Sequence, residues 1–140
     1  MSMNLDIAVD EGFLRVQVTG EFVFEEANDC LVTIFEAIEQ HKLQRVLVDC
    51  RRLSGEPTTI ERFFHATFAV REMDRFANAG VFRGTRFSYL GHEPLIDRNH
   101  FGATVATNRG LIVKVSMDEQ EALMWLDADS VDETARDDSI

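Results

Sequence analysis

Between Glu25 and Asp49 the spacing of apolar residues changes from a helical to an extended rhythm, and that change constrains the fold more than any other feature of the chain. Ala27, Cys30, Leu31, Ile34, Phe35 and Ile38 recur at the i, i+3, i+4 interval that lays one apolar stripe along an α-helix, with acidic residues on the other side. Val46-Leu47-Val48 follows as an unbroken apolar run between Arg45 and Asp49. A strand with one wet face would alternate, so this run predicts a central strand covered on both faces. A helix leading from one strand into another implies a right-handed parallel crossover.

The flanking segments extend this pattern. Leu5 to Val9 alternates, Gly12 marks a turn, and Phe13, Val16 and Val18 continue a second extended run to Thr19-Gly20, which together predict a β-hairpin. Thr58 with Glu61 three residues later is a capping-box pattern and opens a second helix that runs to about Asn78, with Gly80 as its stop. That helix carries two apolar stripes, Phe63, Ala66, Val70, Met73 and Ala77 on one and Ile60, Phe64 and Phe68 on the other. Val81 to Leu90 is expected to be a fourth strand, and Leu95 to Thr107 a helix weakened by Gly102. Leu111, Val113 and Val115 form a fifth strand, and Ser116 with Glu119 a second capping box before a short last helix that packs through Ala122, Leu123 and Trp125-Leu126. The predicted class is α/β, a mixed five-stranded sheet with about four helices in the order ββαβαβαβα.

Charge and length narrow the function. At 140 residues the chain is long enough for one independent core. Its net charge is −11, of which Asp127 to Ile140 contributes −5, since six acids there face Arg136 alone. Residues 1–127 are therefore expected to form the domain, and 128–140 a disordered acidic tail. An acidic surface repels phosphate backbones and anionic lipid heads, which argues against nucleic acid and against polybasic membrane attachment. No apolar run reaches the roughly 18 residues of a membrane span, and the first residues carry neither a basic region nor an apolar stretch, so the expected location is the cytoplasm. Cys30 and Cys50 fall within apolar patterns at neither redox-motif nor zinc spacing, and are expected to be reduced and buried.

The element order, the Gly20-Glu21-Phe22 turn, the Val48-Asp49-Cys50 strand end and the closing Glu121-Ala122-Leu123-Met124-Trp125-Leu126 together resemble the STAS-like or SpoIIAA-like superfamily over most of residues 4–127. The resemblance is to its small, uncharacterised bacterial branch in particular. In the anti-sigma-factor antagonists of that superfamily, an Asp-Ser-Ser/Thr-Gly motif after the third strand carries a hydroxyl that a kinase phosphorylates. The matching stretch here is Pro57-Thr58-Thr59-Ile60, so the resemblance implies Thr58 and Thr59 as phospho-acceptors while Pro57 and Ile60 replace the Asp and Gly. A phosphate at a helix N-terminus meets free backbone N–H groups, and Arg51, Arg52 and Arg62 are the candidates to support it. The alternative is that Thr58 is simply an N-cap and Thr59 a first-turn residue.

Motifs for nucleotide binding, α/β-hydrolase chemistry and zincin chemistry do not occur, and no catalytic residue is assigned. His92, Glu93, Asp97 and His100 have spacing compatible with a divalent metal, but that spacing is not diagnostic and a solvated turn and helix start is the simpler reading, so neither metal nor cofactor is expected. The resulting expectation is a non-enzymatic regulatory or protein-interaction module, homodimeric through Ile60, Phe64 and Phe68. The alternative is a carrier of a small apolar or lipid-like ligand, since a lipid-transfer fold resembles STAS-like domains in outline and the chain holds eleven phenylalanines.

Overall fold

A computed structural model of the chain describes residues 2–127. The acidic segment 128–140 lies outside the described residues, and with it the expectation of a disordered tail. The elements are β1 (Met3–Asp10), β2 (Phe13–Glu21), α1 (Phe24–His41), β3 (Arg45–Ser54), α2 (Thr59–Asn78), β4 (Arg86–Leu90), α3 (Phe101–Asn108), β5 (Ile112–Ser116) and α4 (Glu119–Asp127). The five strands lie in the sheet in chain order, β1 antiparallel to β2 and the other neighbours parallel. This is the mixed sheet and the element order expected from the pattern.

The hairpin closes with the two-residue loop Glu11-Gly12, both at positive φ, so Asp10 pairs with Phe13 without a slip. Primed turns of this kind match the strand twist, and glycine at the second position takes its φ of 88° without strain. Each later crossover moves one strand in the same direction, which puts α1, α2 and α3 on one face of the sheet. Their core centres on Phe35, whose ring stacks on Phe76 at 5.3 Å and tilts against Phe87 at 5.4 Å. The last helix follows no crossover and covers the other face, where Leu47 and Leu90 pack on Ala122 and Leu126. Val46, Leu47 and Val48 are all buried, as a strand between two packed layers requires.

Within β3 the pairing with β2 shifts between Gln17 and Thr19, which oppose Asp49 and Arg52. The strand therefore gains one residue around Cys50 and Arg51, and a bulge of this type changes which side chains point inward. Val46, Val48 and Cys50 face the α1–α3 layer at even positions, and after the bulge it is Leu53, at an odd position, that is buried.

Three local expectations are corrected. The fourth strand begins at Arg86 rather than Val81, because β3 itself begins at Arg45 and offers no partner earlier. Residues 81–85 instead make a turn in which Val81 N–H donates to Phe76 O, and Thr85 donates from both N–H and Oγ1 to Phe82 O. The third helix begins at Phe101, not Leu95, since His100 adopts a left-handed conformation with φ 52°. Ser116 does not cap the last helix: its Oγ is buried without a hydrogen-bond partner among the described residues, and Glu119 turns toward Arg15 and Arg51. Among the described residues, no helix is long and apolar enough to cross a membrane.

Candidate functional site

The corner from Asp49 to Ile60 lies at the carboxyl edge of the parallel strands, the side on which open α/β sheets place their ligand crevices. Its helix start is a complete capping box. Thr58 Oγ1 accepts the Glu61 N–H at 3.1 Å, and Glu61 Oε1 accepts the Thr58 N–H at 2.9 Å, which satisfies two first-turn donors reciprocally. Thr59 is exposed beside it.

The three arginines of this region point to different places. Arg51 makes a bidentate contact with Asp49, Nε to Oδ1 at 3.0 Å and Nη2 to Oδ2 at 2.8 Å, and its Nη2 also reaches Glu119 Oε1 at 2.8 Å. Arg15 joins the same cluster through Glu119 at 3.4 Å. Burial pushes the Asp49 carboxyl up, but hydrogen bonds from the Arg51 side chain and backbone, with the Arg51 and Arg15 charges, outweigh it and hold Asp49 below the ordinary carboxylate value. This cluster lies on the α4 face. Arg62 donates to the backbone oxygens of Leu95 at 2.6 Å and Pro94 at 3.0 Å, with Asp97 Oδ1 at 3.8 Å, and so pins the loop between β4 and α3 to α2. Arg52 is exposed near the end of β3, opposite Thr19 of β2.

The second stripe of α2 divides. Ile60 and Phe64, one turn apart, are 67% and 53% exposed, whereas Phe68 is half-buried against the core. Phe63 meets Phe64 edge-on at 5.5 Å and carries the Arg109 guanidinium over its ring.

Beneath the corner, between the sheet and α1–α3, lies a cavity of about 170 Å³. Its lining is mainly apolar. Val48, Cys50 and Tyr89 border it from the sheet, Leu53 and Pro57 from the corner, and Cys30 and Ile34 from α1. Alanines at 66 and 69 on α2 and at 103 and 106 on α3 leave space that longer side chains would fill. Polar groups enter at two levels: Glu61, Arg62, Asp97 and His100 near the helix starts, and His65 with Tyr89 deeper in.

His65 Nδ1 lies 2.8 Å from Asn28 Oδ1, and burial pushes its pKa down to about 4, so the imidazole is neutral near pH 7. Tyr89 and Cys50 are shifted the other way by burial, Cys50 to about 12, which keeps both protonated. Cys30 is also raised, chiefly by burial and then by the Asp29 and Glu26 charges. Both cysteines are free thiols, as expected from their spacing.

The residues considered for a metal do not converge. Asp97 Oδ1 accepts the Phe101 N–H at 2.9 Å and thereby starts α3, while His92 and Glu93 are exposed in the preceding loop. Among the described residues no three metal-ligating side chains form a group.

Neither a family model nor a curated protein sequence matches the chain. Solved structures do. An anti-sigma factor antagonist from Mycobacterium paratuberculosis aligns with a TM-score of 0.59 at 13% identity, over 89% of this chain and 94% of its own. An uncharacterized protein of the DUF3478 family from Shewanella loihica, described as having a SpoIIAA-like fold, aligns with a TM-score of 0.50 at 16% identity, over 89% and 93%. The chain has the SpoIIAA-like fold.

On this SpoIIAA-like fold, the sequence-derived corner and the cavity are neighbours, a relationship the sequence did not reveal. Leu53 and Pro57 close the cavity on one side and Thr58 caps the helix on the other. His65 and Tyr89 were missed as cavity residues. The only sequence signal for them was a polar side chain set among apolar neighbours, which a surface position explains as readily.

Proposed function

We propose that this protein is a non-enzymatic regulatory module that docks onto a protein partner, in the first instance a second copy of itself, through the first turns of α2. The observation that carries this reading is the pair Ile60 and Phe64, both more than half exposed on one helix face at the carboxyl edge of the sheet. Large apolar side chains grouped in this way favour burial against another surface. The SpoIIAA-like fold supports a regulatory role, since one solved structure that shares it is an anti-sigma factor antagonist. Within this reading Thr58 and Thr59 are the hydroxyls through which the contact is switched, next to the exposed face and at a helix N-terminus that stabilises negative charge. Cytoplasmic action goes with it.

Light scattering coupled to size-exclusion chromatography tests the reading: the wild type is expected to run as a dimer and Phe64→Glu as a monomer. A wild type that stays monomeric at high concentration, unchanged by Phe64→Glu, removes self-association through α2. A second reading, a carrier for a small apolar ligand, is favoured by the cavity under the same corner.

A further inference from the structure

A cavity of about 170 Å³ is close to the volume of an engineered protein cavity, roughly 150 Å³, that takes up benzene, and much smaller than the roughly 300–1,000 Å³ of drug-sized sites. Size therefore favours a single ring or a short branched chain over a full acyl chain. The chemistry of the wall narrows the choice further. Tyr89 sits in register between Val48 and Val115, where a phenylalanine would complete an apolar layer, yet it carries a hydroxyl with no hydrogen-bond partner among the described residues. The cavity wall therefore presents a hydroxyl that no protein group among the described residues satisfies, and a bound group can pair with it.

His65 supplies a second polar atom. With Asn28 Oδ1 accepting from Nδ1–H at 2.8 Å, the proton is on Nδ1 and Nε2 is left as a bare acceptor without a protein partner among the described residues. The guanidinium of Arg62, on the cavity wall, is committed to Leu95 O, Pro94 O and Asp97. Among the described residues lining the cavity, no lysine or arginine is therefore left to balance an anionic ligand.

We propose that the cavity binds a small uncharged molecule about the size of a substituted benzene ring, apolar over most of its surface, with one hydroxyl-type group held by the Tyr89 hydroxyl and His65 Nε2. This rests on the carrier reading and adds to it a ligand class and two anchoring residues. A hydroxyl both donates and accepts, which matches the acceptor at Nε2 and the phenol hydroxyl on the wall of the same cavity.

Fluorine NMR titration of the full chain near neutral pH tests the proposal with three probes: 4-fluorophenol, fluorobenzene and 4-fluorobenzoate. Saturable binding of 4-fluorophenol is expected, about tenfold tighter than fluorobenzene, with no binding of 4-fluorobenzoate. Tyr89→Phe is expected to bring 4-fluorophenol down to the affinity of fluorobenzene without altering fluorobenzene itself, and Ala103→Leu to abolish both by filling the space. His65→Phe reads the second anchor independently should the tyrosine variant fail to fold.

If none of the probes binds, the carrier reading fails and the proposal with it. If fluorobenzene and 4-fluorophenol bind alike and Tyr89→Phe and His65→Phe change neither, the carrier reading stands and the anchoring is overturned. Preference for 4-fluorobenzoate overturns the uncharged ligand, and binding that survives Ala103→Leu places the site elsewhere and overturns the proposal.

Discussion

Arg51 grips Asp49, two residues before it on β3, through Nε–Oδ1 at 3.0 Å and Nη2–Oδ2 at 2.8 Å, while the Arg51 backbone N–H donates to the same Oδ1 at 3.0 Å. The Asp49 side chain is almost wholly buried and that of Arg51 is about one-third exposed. Because Nη2 also reaches Glu119 at 2.8 Å, one guanidinium fastens the first turn of α4 to the end of β3. Planar, bidentate geometry is the form of ion pair most able to hold a fixed position.

Arg51→Ala is expected to lower stability by about 1.5–3 kcal/mol, the range for hydrogen bonds to charged groups. Asp49 is held below its ordinary value, so the stabilisation is complete above a pH of about 4 and lost as pH falls through the lowered native value. Urea midpoints measured at neutral and acidic pH check both points: the wild type should lose more stability on acidification than Arg51→Ala. Equal slopes for the two would show that the pair contributes nothing through titration.

Thr58→Ala removes the side-chain acceptor for the Glu61 N–H, and a loss of about 1 kcal/mol is expected. Thr59→Ala, one residue on and exposed, should stay within about 0.5 kcal/mol of wild type. Chemical denaturation of the two variants side by side distinguishes a helix cap from a general effect of losing a hydroxyl.

His65 is kept neutral by burial, with its pKa lowered to about 4. Its ordinary value is about 6.5, so its contribution to stability is complete above that pH. As pH falls toward the native value, the unfolded chain takes up a proton that the folded chain refuses, and on the order of 3 kcal/mol is lost across that window. Nitrogen-detected NMR should show the His65 ring still neutral at about pH 5. An imidazole that titrates near its ordinary value would contradict the buried setting.

The two thiols, Cys30 and Cys50, are expected to resist alkylation in the folded protein and to react together once urea exposes them. Cys50, pushed up to about 12 by burial, carries almost no thiolate near neutral pH. Mass spectrometry after timed iodoacetamide treatment reads this directly, and fast modification of Cys50 in the native protein would mean the β3 layer opens readily.

Where the residues alternate or recur over a long stretch, the sequence is sufficient. The stripe of α1, the hairpin, the buried run at Val46-Leu47-Val48 and the Thr58–Glu61 box are each dictated by neighbours a few positions apart, and all are present as read. The errors fall where an element depends on a distant partner. The fourth strand could not begin before β3 offered Arg45 as a partner for Arg86. Glu119 left its capping position for Arg15 and Arg51, which lie far away in sequence. The bulge in β3 did leave a trace, in the shift of apolar positions from even at Cys50 to odd at Leu53.

By itself, the sequence determined the class of fold and the corner at Asp49 to Ile60, because periodicity, capping and turn residues act through short separations along the chain. Only the tertiary structure decided what that corner adjoins. It directed Arg51 to the α4 face and Arg62 to the β4–α3 loop, separated exposed Ile60 and Phe64 from half-buried Phe68, and brought His65 and Tyr89, 24 residues apart in the chain, to one cavity. A cavity is space that packed elements fail to fill, and that depends on how whole layers meet rather than on any local pattern of residues.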